Sequence, residues 1–289
     1  MSRLGPTGPI AWRELSTVVR TRSYLFLSGG LAVVFGGVIH AGGTDGGYVP
    51  VAVDLLLPLE LLVPLVAVAL GYRAFGGDND DRPVLLSYPV SKRSLALGVF
   101  AGRLVGLTAI VGIPLGLVGV VVPRGGGTAS RVFATHGGSD SPVLFVRFLA
   151  LTICFGAVVL AMAMAASVLV RTSRAALAAA LGVLVTVVAG GDLAALAGLT
   201  TGRISGDALG TVLAASPNAA YRGLVLETVV GAVADQGDPV DGPAAVAGLT
   251  GWLLGSLAVV VAGLERQPLS GIRDRLRRAF RRVIDAFDG

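Results

Sequence analysis

Charged residues are scarce in this chain. Asp, Glu, Lys and Arg make up 14% of its 289 residues, against about 25% in soluble proteins. Hydrophobic side chains make up 54% and the mean hydropathy is +0.79. A soluble domain is excluded, and an all-α integral membrane protein is expected. Cysteine is nearly missing too. Cys154 is the only one and lies in apolar sequence, which excludes an internal disulfide and a cysteine-based metal site. The two histidines, His40 and His136, stand far apart, so no metal centre is expected. Aromatics reach only 6% while glycines number 42. That bias suits membrane helices, whose small residues let backbones approach.

Lysine occurs once, as Lys92. A P-loop needs a glycine-rich turn ending in Gly-Lys-Ser/Thr, so that backbone N–H groups can wrap phosphates. Lys92 stands between Ser91 and Arg93, so this chain is not expected to bind ATP in that way, and no cofactor is assigned to it. There is no HExxH, no nucleophile elbow and no pair of carboxylates with a plausible base, so no catalytic residue is assigned either. Met162 and Met164, two apart, face different directions on a helix and read as core. The net charge of +5 does not argue for nucleic acid, because the positive residues sit at the ends of apolar runs, where membrane topology accounts for them.

A spanning helix needs about 20 mostly apolar residues. Six segments qualify: 24–40, 49–71, 95–122, 143–170, 175–199 and 244–264. They divide the chain into an N-terminal arm, 1–23, a six-span domain, 24–264, and a tail, 265–289. No stretch reads as a cleavable signal peptide. Arginine and lysine set the orientation. The arm holds four of them, the 72–94 connection four, the "RTSR" turn two and the tail seven, against four in the alternate connections. Seventeen against four places both termini and the 72–94 connection on the cytoplasmic side.

Two amphipathic segments flank the spans. Residues 10–22, "IAWRELSTVVRTR", gather Ile10, Ala11, Leu15, Val18 and Val19 on one face, as expected of a helix lying in the interface. In the tail, Leu269, Ile272, Leu276, Phe280, Val283 and Phe287 recur at helical steps among six arginines. This fits a basic helix on anionic lipid. The outer connection, 200–243, is too apolar for a plain linker. Its "SPNAAYRGLVLETVVGAV" predicts a helix with Ser216 as N-cap and Pro217 at the first position, dipping against the outer face.

Charges within spans default to a functional hypothesis. Asp54 and Glu60 lie in the second apolar run and Arg103 in the third. A proton relay is one reading; ion pairing with Arg103, or snorkelling to the surface, is the plainer one. Gly98, Gly102 and Gly106 follow one another at four-residue steps, a spacing that permits close helix packing.

The stretch "DNDDRPVLLSYPVSKRS", 78–94, is the most patterned part of the chain. The topology rule alone explains Lys92 and Arg93. It does not explain Leu85, Leu86, Tyr88 and Val90, since an apolar knob on a cytoplasmic loop calls for a partner. Here the chain resembles the permease subunits of ABC-2 type transporters: a charged run, then "LLSYPVSKR", then a span opening on "LALGVFAGRL". The phrase "SPNAAYRG" ahead of the last span is similar too. The nearest branch in pattern is the permease of the copper-linked nitrous-oxide-reductase maturation system. Pro83 stands where that pattern usually has a glycine region, which departs from the usual helix start.

The resemblance implies a six-span, type V exporter-like permease fold in the plasma membrane. It also implies a dimer with a second permease copy or paralogue, and an ABC-type ATP-binding subunit that carries ATP and magnesium. It makes 72–94 the coupling loop, with Asp80, Asp81, Arg82, Leu85, Leu86, Ser87, Tyr88, Pro89, Val90, Ser91, Lys92 and Arg93 at the contact. The "LSGG" at 27–30, similar to an ATPase signature, lies inside the first apolar run and reads as a packing pair of glycines. The rival readings are a proton-coupled transporter using Asp54 or Glu60, and a membrane assembly factor that transports nothing.

Overall fold

A computed structural model describes residues 22–43, 47–75, 91–122, 140–170, 172–205, 208–232 and 240–266. The amphipathic segments 10–21 and 267–289, and the coupling-loop residues Asp80 to Val90, lie outside the described residues. Every described element is helical, and six helices are long and apolar enough to cross a membrane. They are α1 (Arg22–Gly42), α2 (Tyr48–Gly71), α3 (Lys92–Val121), α4 (Pro142–Leu169), a fifth span made of two pieces, and the last helix, Gly242–Glu265. The fifth span runs as α5 (Ser173–Val185), a π-helical turn at Thr186–Gly190, and α6 (Gly191–Thr200).

Local chemistry sets the ends. The Ser91 hydroxyl accepts from Ser94 N–H at 3.1 Å, and the Thr172 hydroxyl from Ala175 N–H at 3.2 Å. Such caps satisfy N–H groups that a helix leaves unpaired in its first turn. The start of α2 is capped from outside: Asp140, just ahead of α4, accepts from Tyr48 N–H. Burial pushes the Asp140 carboxyl above its ordinary pKa, while the backbone N–H groups of Tyr48, Val49 and Ser141 pull against that shift.

At the centre, α2 packs along α4. The contact is close at Gly71, where a Cβ would stand 2.5 Å from that of Ala163. Leu55, Leu59 and Val63 of α2 and Phe148, Phe155 and Leu160 of α4 are fully buried there. The third helix lies against α1 and α4, and the last helix against α4. By contrast α1, the fifth span and the last helix leave long apolar faces uncovered, including Phe26, Val33, Leu181, Val185, Leu193 and Leu254.

Between the fifth and last spans the chain does not stay outside the bundle. It forms α7 (Leu209–Ala214), α8 (Pro217–Val225), a π-helical turn at Leu226–Val230, and then α9, which is the last helix, Gly242–Glu265. The Trp252 indole N–H, near the middle of α9, donates to the Ala215 carbonyl at 2.8 Å. Arg147, near the start of α4, donates to the Thr228 carbonyl at 2.6 Å. Ala215 therefore sits deep and Thr228 near the rim, so α7 and α8 form a re-entrant hairpin with its turn at Ala215–Ser216. From sequence, α8 is expected to dip against the outer face; in the structure it packs against α4 and the last helix. Pro217 does open α8, but the Ser216 hydroxyl makes no cap. It lies instead against Gly191, where a Cβ would collide with it.

Candidate functional site

The hairpin brings charge into the bundle. Glu60 stands halfway along α2, with its side chain 12% exposed. Arg222, on the outgoing arm of the hairpin, meets it with a two-pronged grip. Nε donates to Oε1 and Nη2 to Oε2, each at 2.6 Å. This fork is the strong geometry of a guanidinium–carboxylate pair. The Asn218 amide N–H also donates to Glu60 Oε2, at 3.4 Å. From the other side, Asp192 in the first turn of α6 accepts from Arg222 Nη2 at 3.4 Å. Two carboxylates thus share one guanidinium.

The neighbouring residues hold this cluster rigidly. Tyr221 is fully buried and stacks on Phe155 of α4, with ring centroids 4.7 Å apart and planes 4° from parallel. The Thr152 hydroxyl donates to the Phe148 carbonyl at 2.8 Å. A threonine hydroxyl has a single proton to give, so in the 2.9 Å contact between the two side chains the Tyr221 hydroxyl is the donor to Thr152. Arg222 therefore projects from a helix anchored by its neighbour, and the anchoring aims it at Glu60.

A second cluster lies at the opposite end of the bundle. Phe75 N–H donates to Ser167 Oγ near the end of α4, at 3.3 Å. Arg103 of α3 donates to the Leu70 carbonyl at the end of α2. Lys92 Nζ donates to the Glu265 carbonyl at the end of α9, at 3.2 Å. The connection between α2 and α3 thus leaves and returns through residues tied to α4 and α9.

The sequence-derived residues separate in space. Glu60 pairs with Arg222, while Arg103 donates to the Leu70 carbonyl among its contacts. Asp54 is exposed at the rim, its carboxylate against Gly42. Gly98, Gly102 and Gly106 are all buried along α3. Of the coupling-loop residues, Ser91, Lys92 and Arg93 are described, at the start of α3. Sequence reasoning missed Arg222, Asp192, Asn218 and Tyr221 as members of one site. The phrase "SPNAAYRG" was the available signal, since a polar phrase between apolar runs is costly unless something receives it.

Comparison with known proteins agrees with this architecture. Residues 9–269 match the family described as ABC-2 family transporter protein. The chain belongs to the ABC-2 transporter family. Two curated relatives are each named as a probable ABC transporter permease protein NosY. The one from Pseudomonas aeruginosa is 28% identical over 286 residues, covering 90% of this chain and all of the relative. The one from Stutzerimonas stutzeri is 28% identical over 277 residues, covering 89% of this chain and 97% of the relative. In this ABC-2 permease the hairpin-tip cluster joins α2, the fifth span and α8, while the tied ends at Phe75 and Lys92 bracket the α2–α3 connection.

Proposed function

We propose that this multi-pass permease is the membrane subunit of an exporter in the plasma membrane, driven by a separate ATP-binding subunit that carries ATP and magnesium. Membership of the ABC-2 family over residues 9–269 carries the reading. In it the partner ATPase docks on 78–94, with Leu85, Leu86, Tyr88 and Val90 as the apolar contact, and both termini face the cytoplasm. A second copy or paralogue covers part of the apolar surface left open on α1, the fifth span and α9.

The tied ends support a route for the force. A push on the α2–α3 connection reaches α4 through Phe75 and Ser167, and α9 through Lys92 and Glu265. The spans then shift as packed bodies between two arrangements, the usual form of such a transition. The proton-coupled rival draws no support from the cluster, because both oxygens of Glu60 are held by Arg222.

The test is a mild-detergent pull-down of the tagged protein from native membranes, with co-purifying chains identified by mass spectrometry. An ATP-binding cassette subunit near one-to-one stoichiometry is expected, and it should be lost from the Leu86→Asp/Tyr88→Asp variant while the permease stays in the membrane. Unchanged assembly in that variant would sink the docking assignment. Absence of any ATPase from the native complex would sink the exporter reading.

A further inference from the structure

We propose that the hairpin-tip cluster binds a protonated primary amine carried by an amphipathic substrate. The proposal rests on the transporter reading and names the chemistry of what is carried. Three observations converge on it.

The first is charge. Glu60 and Asp192 bring two carboxylates against the single guanidinium of Arg222, a negative excess set among apolar helices. Such an excess is expensive unless a cation joins it.

The second is hydrogen-bonding capacity. Arg222 spends Nε and Nη2 on Glu60 and Asp192 and keeps its two Nη1 N–H groups. Vacant acceptors stand beside it. Asn218 is 2% exposed and its amide oxygen is buried without a hydrogen bond among the described residues. Its orientation is settled by the amide N–H bond to Glu60. Asp192 receives one long bond at 3.4 Å. A buried acceptor without a donor is a standing cost, and an ammonium supplies three donors with a positive charge.

The third is access. The Arg222 and Asp192 side chains are 38% and 42% exposed, so the cluster is open on the side where Asp192 stands. Asp192 follows the π-helical turn at Thr186–Gly190, a local widening of the kind frequent at functional sites. An amine head reaching Asp192 would leave its alkyl chain along the apolar surface of the fifth span, where Leu193 and Leu196 are exposed.

The test uses the full-length chain reconstituted in phosphatidylcholine nanodiscs at neutral pH, with empty nanodiscs as blank. Radiolabelled n-octylammonium is titrated, then displaced with unlabelled n-octylammonium, n-octyltrimethylammonium or n-octyl sulfate. Saturable binding is expected, with displacement by the trimethyl compound about tenfold weaker, since it keeps the charge and loses the donors. Octyl sulfate should not displace. Asp192→Asn should weaken octylammonium binding about tenfold, through loss of a charge-assisted bond.

No saturable binding, equal displacement by the trimethyl compound, or unchanged affinity in Asp192→Asn would each overturn the proposal. If that variant fails to assemble, the wild-type displacement series decides alone. If the amine fails to bind while the ATP-binding subunit still co-purifies, this site falls and the transporter reading stands. If the amine binds and no ATPase co-purifies, the transporter reading falls instead.

Discussion

Glu60 and Arg222 are 162 residues apart in sequence and share two hydrogen bonds of 2.6 Å. Removing either leaves the other charge without its partner in an apolar setting. For a fully buried pair that costs about 3–5 kcal/mol. Arg222 is 38% exposed, and solvent screening reduces the figure, so about 2–3 kcal/mol is expected for Glu60→Ala or Arg222→Ala. The exchange Glu60→Arg/Arg222→Glu should recover part of the loss, and thermal unfolding of the purified proteins reads both effects. A double variant no more stable than either single one would show that the pair is not a unit. At this scale the sequence was half legible. Glu60 stood out as a carboxylate in an apolar run, but its partner was counted among the charges of an outer loop. A helix of nine residues is too short to span, so nothing in its own pattern states how deep it lies.

The element that sequence reading understated is the hairpin of α7 and α8. Its turn is seated by small residues on neighbouring helices. At Gly248 of α9 a Cβ would run into the Ala214 carbonyl, and at Gly191 it would run into Ser216. Backbone cannot step aside as a flexible side chain can. Gly248→Val should therefore lift the turn and break the Trp252–Ala215 bond, at a cost of about 1–3 kcal/mol. In a Trp12→Phe background Trp252 is the sole tryptophan, and its emission should shift when the bond goes. Unchanged emission and thermal stability would mean that the turn tolerates the bulk. The six long helices, by contrast, begin and end within a few residues of the apolar runs read from sequence. Their length requirement is set by bilayer thickness and not by neighbours.

On the scale of the whole molecule, the even number of spans among the described residues puts both ends of the span domain on the same side. The excess of arginine on the arm and the tail supports the proposal that this side is the cytoplasm. A fluorescent-protein fusion after residue 289 should therefore glow, and an alkaline-phosphatase fusion there should be inactive. Phosphatase activity would invert the orientation and move 72–94 out of reach of any cytoplasmic ATPase. The uncovered faces of α1, the fifth span and α9 belong to this scale as well. Against lipid they cost nothing, and against a second permease they supply an interface. Hydrocarbon and a packed helix are nearly equivalent surroundings for Leu and Val.

Composition and apolar period alone determined that this is a membrane protein with six spans, and the phrase at 78–94 pointed to its family. Those properties follow from each segment's own exchange between water and hydrocarbon, which a sequence states directly. Tertiary structure decided that the chain after the fifth span turns back into the bundle. It also decided that Arg222 meets Glu60. Such pairings depend on where separate helices stop and how closely glycines let them approach. A carboxylate in the middle of a helix names the need for a partner, and only the packed fold supplies one.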